Sequence, residues 1–282
     1  MKIFLACICF AFISINLTAQ PLPVLRNYGA AYNNQTRSAD GKPGAKYWQN
    51  TAAYTINVSF APATRIIAGG EEIIYTNNSP DTLQEVWFKL YPNLYQKGAE
   101  RDMRVKAADV TDGVRIENFA VDGVNENTGV LEISATNMRV EVPDLLPGKQ
   151  MKFNITFSYE LNRTSHIRTG MVDDSSAFIA YFFPRIAVYD DVDGWNKIPY
   201  AGSAEFYNDF CDFMVNITVP NNYIVCATGN LLNANDVYAP QVVQRITEAE
   251  KNDGVTKVID VNDLQSGNIT AQHATNTWKF KA

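Results

Sequence analysis

From about residue 46 onward, apolar and polar residues alternate along the chain. Tyr54, Ile56, Val58 and Phe60 are interleaved with Thr55, Asn57 and Ser59. Met151, Phe153, Ile155, Phe157, Tyr159 and Leu161 alternate with Lys152, Asn154, Thr156, Ser158 and Glu160. Phe213, Val215, Ile217 and Val219 repeat the pattern. A period of two turns one face of each segment to a core and the other to water, as antiparallel sheets require. Further strands are expected over 73–76, 85–90, 114–121, 130–135, 138–142, 177–188, 223–228, 257–261 and 277–280. Turn chemistry separates them: AGG at 68–70, NNSPD at 77–81, DG at 112–113 and 122–123, and PGK at 147–149. Short helices are expected over 93–105 and 239–250. The pattern predicts an all-β fold, a large antiparallel β-sandwich or saddle domain with few short helices.

Composition agrees with a sizeable core. Of 282 residues, 46% are apolar and 19% charged, with a net charge of −6, enough for one large β domain or two smaller ones. No long Lys/Arg run marks a surface for nucleic acid or anionic lipid. The start of the chain, MKIFLACICFAFISINLTAQ, breaks the alternation. Lys2 precedes an apolar stretch over 3–15, too short for a bilayer span of about 20 residues, and Ala19 offers a small residue for cleavage. Residues 1–19 read as a secretory signal peptide. Cys7 and Cys9 lie inside the apolar stretch, too early for a lipobox. The mature protein is expected to be exported, to the periplasm, the cell surface or the medium, with no membrane span after cleavage. Residues 20–45 end in ADGKPG and read as a linker or N-terminal arm, and 46–282 as the folded domain.

Candidate chemistry is sparse. The two histidines, His166 and His273, fall in separate polar loops and read as exposed. The chain has no HExxH, no CxxC, no GxSxG and no phosphate-binding glycine loop. A hairpin turning at Pro220-Asn221-Asn222 would keep Cys211 and Cys226 out of register, so two buried free thiols are expected rather than a disulfide. Asp190, Asp191 and Asp193 fail as an EF-type calcium loop: with Gly194 at the sixth place, the first and twelfth fall on Tyr189 and Tyr200. Aspartates capping backbone N–H groups at a strand exit are the simpler reading. Sequons at Asn57, Asn154 and Asn216 fall on the wet faces of strands, where polar residues are needed anyway.

Three segments carry a family resemblance. YWQNTAAYTINVSFAPATRIIAGGEEIIYTNNSPDTLQEVWFKLYPNLY resembles the opening hairpins of the aminopeptidase N-like zinc metallopeptidases (gluzincins), in particular an exported bacterial branch. AYFFPRIAVYDDVDGWN resembles the place where that branch reads AQWYPRxAVYDDxxGWN, and EFYNDFCDFMVNITVPNNYIVCATGNL resembles the strand pair that follows. Together they span about 46–232, and TWKFKA at 277–282 is a weaker fourth match. The resemblance implies the N-terminal β domain of a secreted zinc aminopeptidase that hydrolyses N-terminal peptide bonds. It implies that zinc, HExxH and the general-base glutamate belong to a catalytic domain missing from this chain, leaving it truncated, non-catalytic alone and without a metal of its own. That catalytic domain and the peptide substrate are the implied partners. Substrate contacts are expected from Tyr181, Phe182, Arg185 and Trp195. Tyr181 stands where the family has the glutamine that helps hold the substrate amine, and a tyrosine offers one hydroxyl instead of an amide. Two other readings stay open: a stand-alone sandwich module binding a glycan or surface protein through Tyr181, Trp195 and Tyr200, and a non-catalytic peptidase relative.

Overall fold

The computed structural model describes residues 23–126, 131–221 and 223–282. The expected signal peptide therefore lies outside the described residues, as does Asn222 of the expected hairpin turn. The chain divides into two compact units, Met1–Lys46 and Tyr47–Ala282. Within the first, part of the expected linker is a two-turn helix, α1 (Arg26–Asn33), with Ala31 buried on it.

The second unit is mostly β. Its first half holds β1 (Thr51–Ala61), β2 (Ile66–Thr76), β3 (Leu83–Lys89), β4 (Arg115–Val121), β5 (Val124–Glu126), β6 (Glu132–Ser134), β7 (Asn137–Leu145) and β8 (Gln150–Glu160). Its second half holds β9 (Thr169–Met171), β10 (Ala177–Ile179), β11 (Arg185–Ile186), β12 (Tyr189–Asp190), β13 (Gly194–Trp195), β14 (Asp212–Pro220), β15 (Asn230–Leu231) and β16 (Thr275–Lys281). The larger sheet runs β15-β16-β14-β1-β2-β8-β4-β5 and the smaller β11-β3-β7-β6, with β9/β10 and β12/β13 as separate ribbons. The alternating residues meet between the sheets: Phe88 of β3 lies edge to face with Phe119 and Phe153, at 5.7 and 5.5 Å between ring centres. Burying an aromatic of this size stabilises by roughly 2–3 kcal/mol.

Local chemistry explains the turns, with one correction. Asn77, fully buried, donates to the carbonyls of Asp81 (2.7 Å) and Leu145 (2.9 Å) and accepts from Ser79 N and Oγ, which fixes the NNSPD turn. Ala68–Gly70 is not a turn but lies inside β2; the chain reverses earlier, at Pro62–Arg65. Gly69 is needed there because a Cβ would stand 2.7 Å from the Asn57 carbonyl oxygen. One inward residue of β2 departs from the apolar pattern. Glu71 is buried between Ile56 and Ile155, and neither carboxylate oxygen has a hydrogen-bond partner. Burial pushes its carboxyl well above the usual range, so it is held neutral.

The expected hairpin over 211–226 does not form. β14 runs parallel to β1 and antiparallel to β16, and residues 223–228 are not a strand. Side chains secure this pairing: Asn216 donates to Asn57 at 2.8 Å, and the Thr218 and Thr277 hydroxyls meet at 2.9 Å. Both thiols are free, but Cys226 is exposed and Cys211 half-buried, so they are not the two buried thiols expected. Helices α2 (Ala234–Val237), α3 (Pro240–Ala249) and α4 (Val261–Ser266) fill the excursion between β15 and β16. The strand expected over 257–261 is instead the entry to α4, where Asp260 and Asp263 form a reciprocal capping box. Of the helix expected over 93–105, only a 3-10 turn at Tyr91–Tyr95 forms.

Candidate functional site

One end of the second unit breaks the regularity of the sandwich. Tyr91, Leu94, Tyr95 and Tyr200 form a buried cluster apart from the main core, and Met103, Val105, Ile167, Tyr181 and Phe206 pack against it. The strand expected over 177–188 is interrupted here: β10 ends at Ile179 and β11 begins at Arg185. Tyr181 interrupts it by adopting left-handed backbone, φ 42°, and Pro184 offers no N–H to continue a ladder.

Two further non-glycine residues in left-handed backbone face Tyr181 from the 162–170 loop. Ile167 has φ 48° and Arg168 φ 59°. Such a backbone costs roughly 1–2 kcal/mol per residue, and more of it is felt by a β-branched side chain such as Ile167. The strained residues hold one another. The Tyr181 hydroxyl donates to the Ile167 carbonyl, and Ala180 N donates to Arg168 O at 3.1 Å. Tyr95 Oη donates to the next carbonyl upstream, His166, at 3.0 Å. Strain of this kind persists where surrounding contacts over-determine it, and it concentrates at ligand-binding corners.

The rings form a wall. Phe206 lies 4.4 Å from Tyr181, 4.5 Å from Tyr200 and 4.7 Å from Tyr91, centre to centre. The Arg168 guanidinium sits 5.5 Å above the same Phe206 ring. Burial raises the phenols of Tyr91 and Tyr95 to about 12 and that of Tyr181 higher still, so all three are neutral hydrogen-bonding groups near neutrality. Tyr91 Oη donates to Asn208 at 2.9 Å, and Tyr200 Oη donates to the Gly202 carbonyl at 2.9 Å.

The four residues expected to contact substrate do not share one surface. Tyr181 stands in the corner. Phe182 is half-buried, its ring 5.2 Å from that of Phe183, which belongs to the main core. Arg185 lies between the two clusters, stacked 5.4 Å over Phe213 and donating to the Asp209 carbonyl. Beside it the Asp209 carboxyl is raised to about 6: burial and the Asp190 charge push it up, and Arg185 only partly offsets them. Trp195 is buried in the main core against Tyr75 and Tyr189. A platform of Tyr181, Trp195 and Tyr200 is therefore not formed, since Trp195 and Tyr200 are buried in different clusters. Of the aspartates after Tyr189, Asp190 caps the turn: its Oδ1 accepts from the N–H groups of Val192 and Asp193 at 2.9 and 2.8 Å.

Sequence reasoning missed Ile167, Arg168, Phe206 and Lys89. The first three have no sequence signature, because left-handed backbone at Ile and Arg is unfavourable and a lone Phe in a loop carries no period. Lys89 falls in phase with the outward Glu85 and Trp87 of β3, where a polar residue is ordinary, so its burial has no sequence signature either. It is buried, and its ammonium donates to Asn137 Oδ1 and the Ile198 carbonyl, both at 2.8 Å, with Asn196 Oδ1 at 3.4 Å. Burial lowers its pKa to about 8. Lys89 pins residues 196–198 to the outer face of the smaller sheet, and that segment leads into Tyr200. Beside it runs an open groove of about 700 Å³, lined among others by Glu85, Arg139, Tyr189 and Lys197. Its charges are spent on each other: Glu85 accepts from Arg139, from Lys197 at 2.9 Å and from Trp87 Nε1 at 2.9 Å. Burial opposes ionisation of Glu85, but these bonds prevail and hold it at about 2.

Among the described residues no three His, Cys, Asp or Glu side chains gather into a ligand set, and His166 and His273 are exposed on separate loops.

No family model matches the sequence, and no curated protein matches it. Solved structures do align with the fold. An M1 zinc metallopeptidase from Deinococcus radiodurans is 12% identical, with 85% of this chain and 40% of that one covered at a TM-score of 0.41. An E323A mutant of an M1 zinc metallopeptidase from Deinococcus radiodurans, bound to a Tyr-Ser-Ala substrate, is 14% identical over the same shares, with a TM-score of 0.41. Legionella pneumophila aminopeptidase A is 6% identical over 66% of this chain and 18% of that one, with a TM-score of 0.40. The chain spans about two fifths of the length of the Deinococcus structures.

Proposed function

We propose that residues 46–282 are the N-terminal, substrate-facing β domain of an exported zinc metallo-aminopeptidase, and that they carry no catalytic group themselves. Three ordered segments with the look of that family support the reading. The observation that carries it is the corner around Tyr181: the residue standing at the family's amine-binding position is held by a left-handed backbone and by the carbonyl of a second strained residue. With its proton committed to Ile167 O, the Tyr181 oxygen keeps lone pairs that can accept from the α-ammonium of a peptide. The half-exposed ring of Phe206, backed by the buried Tyr91 and Tyr200, then provides apolar area beside that end. Hydrolysis of the N-terminal peptide bond by zinc-activated water falls to a catalytic domain outside these residues.

The test is an NMR titration of the chain with a free dipeptide, Leu-Phe, and with N-acetyl-Leu-Phe. The expected result is perturbation of the Tyr181, Tyr91 and Phe206 resonances by the free amine form, weakened by acetylation. No perturbation by either, or zinc-dependent release of leucine by the chain alone, would sink the reading.

A further inference from the structure

Resting on that reading, we infer that Arg168 is a specificity residue for a carboxylate, so that this corner favours peptides carrying one within about two extended residues, ~7 Å, of the free amine. The placement of Arg168 is costly and defined. It follows Ile167 in left-handed backbone, its carbonyl accepts from Ala180 N, and its guanidinium covers Phe206 at the mouth of the aromatic wall. The guanidinium lies 5.5 Å from the Phe206 ring centre on a side chain that is 58% exposed, and a guanidinium reached by solvent can donate two parallel bonds from one N–H edge of its fork to a carboxylate.

The acids around it leave that edge available. Among the described residues Arg168 pairs with Glu205, at 4.0 Å, whose side chain is 94% exposed. A pair that long and that wet adds little and is readily exchanged. Asp102, the other carboxylate near Tyr200, is committed to Ser203, accepting from its N at 3.0 Å and from its hydroxyl. Tyr181 and Tyr200 complete the surroundings of the guanidinium as neutral phenols. A short peptide with its amine at Tyr181 would bring either its C-terminal carboxylate or an acidic side chain to the same fork.

The experiment is a titration of the chain with matched ligand pairs: Leu-Phe against Leu-Phe amide, and Leu-Asp amide against Leu-Asn amide. In each pair only the carboxylate changes. A preference of about tenfold for Leu-Phe over its amide assigns the C-terminal carboxylate, and the same preference for Leu-Asp amide assigns the side chain. Arg168→Gln should abolish the preference and Arg168→Lys should retain part of it, both without a change in melting temperature of the chain. The ligand pairs alone decide the matter if Arg168→Gln unfolds. Binding of all four peptides with equal affinity would overturn the inference and leave the substrate-facing reading intact. Failure of all four peptides to perturb the corner would overturn both.

Discussion

Two groups of aromatic rings in this protein meet at similar distances and are held in different ways. In the sandwich, Phe88, Phe119 and Phe153 project from regular strands, and the backbone beneath them is satisfied by its ladders. In the corner, Tyr91, Tyr181, Tyr200 and Phe206 project from a 3-10 turn and from irregular segments. There the backbone is held by isolated bonds, some from side chains and some from single backbone pairs such as Ala180 N to Arg168 O, and three non-glycine residues are left-handed. The first arrangement gains stability from every local choice. The second gives some stability up, and what it obtains is a fixed direction for Tyr181 and Arg168. Agreement across levels marks scaffold, and local conflict held in place by its surroundings marks a site.

The comparison can be broken most severely at Phe88. Phe88→Ala removes a fully buried ring shared by both sheets and should cost roughly 3–5 kcal/mol in denaturant unfolding. Phe206→Ala, at the half-exposed corner, should cost about half as much, and equal losses would erase the distinction drawn here. Next comes Lys89→Met, which leaves two close carbonyl acceptors without a donor. It should cost roughly 2–3 kcal/mol and speed amide exchange through 196–204 more than in β1. The sign also shows in pH. Because burial lowers the folded pKa of Lys89 to about 8, the unfolded chain binds more protons from there to the ordinary lysine value. Stability from this group therefore rises between about pH 8 and pH 10.5, and Lys89→Met should flatten that rise.

Glu71 sharpens the comparison from the other side, as a local conflict within the scaffold. Glu71→Leu should stabilise the chain at pH 7 by about 2 kcal/mol, since an unpartnered carboxyl is replaced by a hydrocarbon. Its folded pKa is raised, so its contribution is fully present below the unfolded carboxyl value and is lost as pH rises toward the folded one. Glu71→Leu should remove that decline in melts run from pH 4 to pH 8. The smallest effect is expected at Ile167. Ile167→Asn relieves a β-branched residue in left-handed backbone and should raise stability by about 1 kcal/mol, while loosening Arg168. A loss of stability there would mean that packing of Ile167, rather than strain, dominates the loop.

The strands β1 and β8 were legible because their alternation is uninterrupted, and β14 because Met214 breaks its alternation only once, as was the turn at Asn77–Asp81, whose residues bond within the turn itself. What could not be read depends on distant partners. Gly69 looks like a turn residue until the Asn57 carbonyl is placed against it. The segment after Pro220 has strand-like composition, but β14 already has β1 on one side and β16 on the other, so no edge is left for a hairpin partner. In the corner, the resemblance singles out Tyr181 only as an expected contact. The residues that hold it come from a loop whose own sequence, NRTSHIRTG, favours nothing in particular, and only tertiary contact puts Ile167 and Arg168 in left-handed backbone.

The parallel pairing of β1 with β14 has a consequence for how the protein is made. Asn57 and Asn216, which bond across that pair, are 159 residues apart in sequence. A ribosome adding about 5–20 residues per second needs roughly 8–30 s to supply the second after the first. During that interval β1 can pair with β2, but its other edge has no partner and its backbone groups are open to other chains. Cell factors that shield nascent segments should therefore matter more for this protein than its equilibrium stability suggests.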